Sequence, residues 1–147
     1  MRQGHNEKAA LIYSALLPSD RSAFDDATLG RIYGDYGVAL LRAKRPERGV
    51  EILELSLHYL PDDARLNYKL GLGYARARNS QRALHYLGEA LRLDSSVADH
   101  HWRLGAELIR HRRNDEAHAL LTEALRLDPA HEAAKKDLAR LGAAMAA

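Results

Sequence analysis

Apolar residues recur along most of the chain at the three- and four-residue spacing of an amphipathic helix. In the middle of the chain, one such run ends at Ala77, the polar stretch Arg-Asn-Ser at 78–80 interrupts it, and a second run begins at Ala83. No stretch shows the strict apolar–polar alternation of a strand. The pattern therefore predicts a helix, a turn and a second helix.

This helix–turn–helix unit repeats with a period of 34 residues. The hexapeptide EALRLD occupies 89–94 and returns at 123–128, and Gly71 returns as Gly105. Three registers fit without an insertion: 30–63, 64–97 and 98–131. A period of this length is typical of helical repeat proteins, in which each unit buries its apolar face against its neighbours.

Small residues recur where the two helices of a unit are expected to touch. Gly71 and Gly105 lie on the first helix, and Ala83 and Ala117 lie on the second. Such residues allow antiparallel helices to approach at the short end of the usual range of about 8–10 Å between axes. We expect a larger side chain at any of these positions to push the pair apart.

These residues resemble the tetratricopeptide repeat (TPR). The resemblance is carried by the period, the pattern L-G-x-x-Y at 70–74, the small or apolar residues Ala83, Leu87 and Ala90, and the Asp-Pro at 128–129. It covers residues 30–131 and implies an all-α fold, a right-handed α-solenoid of antiparallel helix hairpins. Asn67 and His101 stand where the repeat usually begins with an aromatic residue, and Gly49 replaces the usual Ala.

The two ends are expected to complete the stack. Residues 1–29 are predicted to hold a partial N-terminal repeat, with its second helix only, and a connector. Ser22 with Asp25 could cap a helix beginning near Ala23, with Phe24 packing beneath it.

Residues 132–147 are predicted to form a C-terminal capping helix, which a stack of repeats needs to stay soluble. We expect it to cover the last repeat with its apolar residues, namely Ala133, Ala134, Leu138 and Leu141. The residues expected to face water are Lys135, Lys136, Asp137 and Arg140.

The resemblance implies that partners lie on an inner face formed by the first helices. The residues that this places in the partner-binding groove are Arg31, Arg42, Arg65, Tyr68, Lys69, Leu72, Arg76, Trp102, Arg103 and Arg110. With the remaining inner-face positions, which include Asp35 and Asp99, the groove carries seven cationic and two anionic side chains, whereas the whole chain has a net charge of +2. This segregation favours a partner with carboxylate groups, held by arginine, and Tyr68 and Trp102 as flat apolar anchors.

A purely structural interpretation remains open for the same residues. The arginine row, Arg42, Arg76 and Arg110, falls near predicted helix C-termini, where a cation is favoured by about 0.3–1 kcal/mol without any ligand. Tyr68 and Trp102 could equally pack between repeats.

The resemblance also tests one subclass. TPR domains that grip acidic chaperone tails carry a Lys and an Asn on the first helix of their first repeat, where this chain has Gly34 and Val38. Lys69 stands in the second repeat where an Asn is expected, and only Arg103 in the third repeat matches. We therefore do not expect that carboxylate clamp.

The sequence contains no motif typical of a catalytic or metal-binding site. The chain has no Cys, its eight His residues show no ligand spacing such as His-Glu-x-x-His, and no nucleophile motif or glycine-rich phosphate loop occurs. We expect no enzymatic activity, no cofactor and no metal.

The working hypothesis is a protein–protein interaction module, an adaptor, scaffold or chaperone, that binds an extended or helical, acidic peptide segment. A secretion-system-type chaperone, an RNA-binding helical repeat, and a self-assembly module or fragment of a larger TPR protein are the alternatives. Self-association is expected through an apolar N-terminal surface at Leu11, Ile12 and Tyr13, and nucleic acid ranks below protein as a partner. The chain shows no signal peptide or apolar span, so we expect a cytoplasmic protein without membrane insertion, or a periplasmic one if it comes from a longer protein.

Overall fold

A computed structural model describes residues 2–17 and 21–147, which form eight α-helices and one short 3₁₀ turn at Arg21–Ala23. The helices are α1 Arg2–Leu16, α2 Asp26–Arg42, α3 Pro46–Tyr59, α4 Ala64–Arg76, α5 Ser80–Leu93, α6 Ala98–Arg110, α7 Asn114–Leu127 and α8 Glu132–Ala146. No strand occurs in these residues. Helices α4 and α6 begin 34 residues apart, and so do α5 and α7.

The helices pack as a stack of hairpins. Each of the pairs α2–α3, α4–α5 and α6–α7 forms the most extensive helix contacts, and α3–α4 and α5–α6 join one hairpin to the next. Helix α1 packs on α2 at one end, and α8 packs mainly on α7 at the other. The first helices, α2, α4 and α6, therefore present one side of the stack, which we call the inner face.

The hairpins are held together by a leucine against a glycine. Leu53, Leu87 and Leu121 are almost fully buried, one in each second helix. A Cβ atom added to Gly71 would lie 2.7 Å from Leu87 Cγ, and one added to Gly105 would lie 3.2 Å from Leu121 Cγ. Both distances are shorter than ordinary van der Waals contact, so the glycines allow the close approach that the sequence predicted.

The turn inside each hairpin ends the first helix in the same way. Lys44, Arg78 and Arg112 have φ of 61°, 60° and 59°, the left-handed region in which glycine is favoured. In the second hairpin, Arg78 N donates to Ala75 O at 3.2 Å and Asn79 N donates to Tyr74 O at 2.9 Å. This is the Schellman pattern, which usually places glycine at the left-handed position. Here a cationic side chain occupies that position three times.

The start of α2 differs from the sequence prediction. Asp25, and not Ser22, is the N-cap residue, because its carboxylate accepts a hydrogen bond from Thr28 N at 2.7 Å. The helix therefore begins at Asp26 and not near Ala23, which belongs to the preceding 3₁₀ turn. Phe24 lies outside the helix with 39% of its surface exposed, so the prediction that it packs beneath α2 is wrong.

Two buried histidines fasten the turn between the second and third hairpins. The His100 ring lies 2.9 Å through Nδ1 from Asp94 O, and the His101 ring lies 2.8 Å through Nε2 from Ser95 O. His101 and Asn67 are buried at the position that Tyr33 fills in the first hairpin. These residues therefore replace the usual aromatic side chain with packed polar groups.

The two glycines Gly71 and Gly88 give opposite predictions. Replacing Gly71 by Ala forces Leu87 to move, and we expect the free energy of unfolding to fall by about 1–2 kcal/mol after the gain in helix propensity. Replacing Gly88 by Ala meets no atom within 4 Å and should raise the free energy of unfolding by about 0.5–1 kcal/mol. Urea denaturation of the two variants measures both, and equal effects would contradict the close helix contact.

Candidate functional site

A pocket opens on the inner face between α1, α2 and α4. Its volume is about 430 Å³. Ala9 and Tyr13 of α1, Val38 of α2 and Leu66 of α4 supply apolar walls. Gly30 and Gly34, one helical turn apart on α2, line it as well. A Cβ atom added to Gly30 would lie 2.6 Å from Leu60 Cγ, and one added to Gly34 would lie 2.9 Å from Leu66 Cδ2.

Four of the predicted groove cations surround this pocket: Arg31, Arg42, Arg65 and Lys69. Asp35 and Asp63 are the carboxylates among the lining residues. Asp63 is held by the fold, because it caps α4 and accepts a hydrogen bond from Leu66 N at 3.0 Å. The pocket therefore combines an apolar floor with an excess of positive charge at its rim.

Helix α1 contributes to this pocket in a way that the sequence did not predict. Asn6 donates its side-chain amide to Arg42 O at 3.4 Å, which satisfies a carbonyl at the C-terminal end of α2. Ala9 and Tyr13 fit the small and aromatic positions of a second helix, but the preceding first helix is missing from the described residues. The resemblance assigns groove positions only to first helices, so it does not predict a wall supplied by a second helix.

The arginine row is divided among different roles. Arg76 Nη1 lies 3.5 Å from Leu41 O, at the end of the preceding first helix. Arg110 Nη1 lies 3.3 Å from the carboxylate of Glu107, whose side chain is almost completely buried. Arg42 makes no side-chain hydrogen bond or ion pair among the described residues. Part of this row therefore stabilises helix ends and a buried acid.

Tyr68 and Lys69 are half-buried beside the pocket. The Tyr68 ring lies 5.1 Å from the His100 ring, and Lys69 Nζ lies 5.5 Å from the centre of the Tyr68 ring. Burial raises the pKa of the Tyr68 hydroxyl, and the nearby Asp99 carboxylate raises it further, whereas Arg103 lowers it. Tyr68 is therefore a neutral, largely apolar surface between two hairpins at physiological pH.

Trp102 is engaged by the C-terminal helix. Its indole Nε1 donates to Asp137 Oδ2 at 2.9 Å, and its ring lies 5.2 Å from the His131 ring. The prediction that Asp137 faces water is therefore wrong, because the carboxylate turns toward the inner face to accept this bond. Arg103 also contacts this indole, because its guanidinium carbon lies over the Trp102 ring, 5.1 Å from the ring centre.

His131 joins α6 and α8 beside the Trp102 ring. Its Nδ1 accepts the N–H of Ala134 at 3.1 Å and caps α8, so the ring proton resides on Nε2. Nε2 then donates to Asp99 Oδ1 at 2.8 Å. Trp102 is therefore half-buried at its groove position by its contacts with α8. Leu72, another predicted groove residue, is half-buried on α4.

The apolar surface predicted at the N-terminus is present in part. Leu11 is 68% exposed and Ile12 is 59% exposed, whereas Tyr13 is half-buried against the pocket. Self-association through this surface stays a prediction.

The described part of the chain holds neither a cluster of metal-ligating side chains nor a helix that could span a membrane. No three His, Cys, Asp or Glu side chains there lie close enough together to hold a metal ion. None of the described helices is long and apolar enough to cross a lipid bilayer.

Comparison with known proteins bears on the fold. No family model matches the chain, and no curated protein sequence matches it. Among solved structures, the first TPR domain of Spaghetti (RPAP3) bound to the HSP90 peptide SRMEEVD superimposes with a TM-score of 0.79 at 17% identity, over 82% of this chain and 96% of that one. MamA of MSR-1 superimposes with a TM-score of 0.78 at 25% identity, over 97% of this chain and 79% of that one.

A third similar structure is YrrB, described as a TPR protein with an unusual peptide-binding site. It has a TM-score of 0.79 at 17% identity, over 92% of this chain and 66% of that one. These similarities show that the chain has the TPR-type fold, an α-solenoid of helix hairpins, as the sequence resemblance indicated.

The bond between Trp102 and Asp137 predicts a measurable link between α8 and the inner face. Replacing Asp137 by Ala leaves the indole N–H without its acceptor, and we expect the free energy of unfolding to fall by about 1 kcal/mol. Because Trp102 is the single tryptophan, acrylamide quenching of its fluorescence should increase. Lys136→Ala on the same helix is the control, and equal quenching in both variants would contradict the link.

Proposed function

We propose that this chain is a non-enzymatic protein-interaction module that binds an acidic segment of a partner protein on its inner face. An adaptor or chaperone role follows from such binding, since a repeat stack can hold a segment without changing it chemically. The proposal includes the three repeats at 30–63, 64–97 and 98–131 as the scaffold of the face.

The observation that carries the proposal is the pocket between α1, α2 and α4. Its volume of about 430 Å³ falls within the range of about 300–1,000 Å³ of sites that hold small ligands. The apolar floor suits one large aliphatic or aromatic side chain. The surrounding cations suit carboxylates on either side of it.

The positive charge around the pocket favours a partner segment with negative charge. Arg31, Arg65 and Lys69 extend from α2 and α4 without an ion pair to any described carboxylate. Arg31 donates to its neighbour Thr28, and Lys69 lies over the Tyr68 ring. Charges that are already partly ordered in this way lose less conformational entropy when they bind a partner.

The TPR-type neighbours support peptide binding on this kind of fold. The RPAP3 domain was solved with a peptide that contains two glutamates and an aspartate. In this chain, Gly34 and Val38 replace the Lys and Asn expected of the carboxylate clamp. We therefore propose recognition by an apolar anchor with flanking acids, rather than by a clamp on a terminal carboxylate.

The proposal predicts a charge-dependent affinity. The probe is a short fluorescent peptide with one leucine flanked by glutamates. Replacing Arg31, Arg65 and Lys69 together by Gln should weaken binding about 10- to 100-fold, because each lost charge-assisted contact is partly screened by solvent. Fluorescence anisotropy measures the affinity, and raising the salt concentration should weaken the wild-type complex.

The matched control is the triple variant Arg48→Gln, Arg92→Gln and Arg126→Gln. It removes the same charge from exposed ion pairs on second helices, away from the pocket. It should bind the peptide within about threefold of wild type, since none of its cations lines the pocket and each is already paired with a glutamate. If both triple variants bind equally well, or if glutamine replaces glutamate in the peptide without loss, the proposed site is wrong.

A further inference from the structure

The turns within the three hairpins are strongly cationic. They read RAKRP at 42–46, RARNS at 76–80 and RHRRN at 110–114, and they contain eight Lys or Arg residues and no Asp or Glu. These residues are Arg42, Lys44, Arg45, Arg76, Arg78, Arg110, Arg112 and Arg113. All eight are exposed.

The fold places these turns at one edge of the stack. Each turn joins the first helix of a hairpin to the second, and the three hairpins pack side by side. We call the three turns the basic edge. The turns between hairpins, 60–63, 94–97 and 128–131, lie at the opposite edge and carry four Asp and no Lys or Arg.

Most of the aspartates in the turns between hairpins stabilise the backbone of those turns, whereas few of the cations at the basic edge make side-chain hydrogen bonds. Asp63, Asp94 and Asp128 accept backbone hydrogen bonds from Leu66, Ser96 and Ala130 and so shape their own turns. At the basic edge, side-chain hydrogen bonds are made by Arg76, Arg110 and Arg113. The others make none among the described residues: Arg42, Lys44, Arg45, Arg78 and Arg112.

Three of these cations stand where the backbone favours glycine. Lys44, Arg78 and Arg112 hold φ near 60°, which is strained for a residue with a Cβ atom. A glycine would satisfy the turn with less strain, although a cation at the C-terminal end of a helix is favoured by the helix dipole. The strain makes these three positions candidates for an interaction.

Two depressions on the basic edge combine cations with apolar residues. One, of about 570 Å³, is lined by Arg42, Lys44 and Arg76 together with Leu41, Pro46 and Asn6, whose amide already donates to Arg42 O. The other, of about 540 Å³, is lined by Arg110, Arg112 and Arg140 beside apolar residues of α6 and α8, and its one carboxylate, Asp137, already accepts the Trp102 indole. Guanidinium groups bind phosphate oxygens through paired hydrogen bonds.

The basic edge lacks aromatic and large exposed apolar side chains, and this narrows the kinds of polyanion that it could bind. The turns contain no Phe, Tyr or Trp, so they offer no stacking platform for the bases of a single-stranded nucleic acid. They also contain no large exposed apolar residue that could insert between lipid tails. Turns that protrude side by side from one edge fit a flat charged surface.

We propose that the basic edge docks on the surface of a bilayer containing anionic phospholipids, with lipid phosphates in the two depressions. The opposite, acidic edge then points away from the membrane, because an anionic surface repels it. Arg42 and Asn6 line both the peptide pocket and one depression, but the other cations of the basic edge lie outside the peptide site.

The test is co-sedimentation with vesicles of phosphatidylcholine in which about one lipid in three is phosphatidylglycerol. The variant Lys44→Gly, Arg78→Gly and Arg112→Gly removes three cations and also relieves the left-handed strain, so its melting temperature should not fall. Its partition coefficient should fall roughly 100-fold, about fivefold for each cation lost near the surface. Vesicles of phosphatidylcholine alone should not bind the wild type.

The control for net charge is the peptide-site variant Arg31→Gln, Arg65→Gln and Lys69→Gln. This Gln variant should bind anionic vesicles within about threefold of wild type. The glycine variant should in turn retain peptide binding, so that either proposal can be contradicted without the other. Wild type that does not sediment with anionic vesicles would overturn the membrane proposal. So would equal loss in both variants, or displacement from vesicles by an equal charge concentration of double-stranded RNA.

Discussion

The structure depends on the contact between a glycine of one helix and a leucine of its partner. Leu53, Leu87 and Leu121 reach into the surface of the preceding helix because no Cβ atom stands in the way at Gly37, Gly71 or Gly105. Because this contact recurs with every repeat, it sets the spacing and direction of each hairpin. The side chains on the inner face and in the turns at both edges therefore recur with the same spacing.

A scaffold fixed in this way leaves three surfaces free to differ. The inner face carries the pocket with its cationic rim. The turns within hairpins carry eight cations, five of which make no side-chain hydrogen bond among the described residues, and the turns between hairpins carry aspartates that accept backbone hydrogen bonds. The charge of the chain is close to balanced overall, yet the repeat separates the two signs in space. A net charge of +2 therefore conceals surfaces of opposite character, and partners would meet one surface at a time.

The sequence predicted the hairpins because their periodic residues interact locally or one repeat away. It did not predict the Trp102–Asp137 bond, because a capping helix has no counterpart in the repeat and its rotation about its axis is set by packing. It also missed α1 as a wall of the pocket, because the resemblance assigns groove positions to first helices and α1 matches a second helix. The arginine row illustrates a further limit: its period was visible, but Arg76 on Leu41 O and Arg110 on the buried Glu107 could be assigned only from coordinates.

Binding of an acidic segment between α1, α2 and α4 can be followed by the backbone amide chemical shifts of the isotope-labelled chain while the glutamate-flanked leucine peptide is added. The largest changes should fall in residues 6–13, 31–42 and 65–69, with little change in α5 and α7. Changes centred on α5, on α7 or on the turns of the basic edge would contradict it.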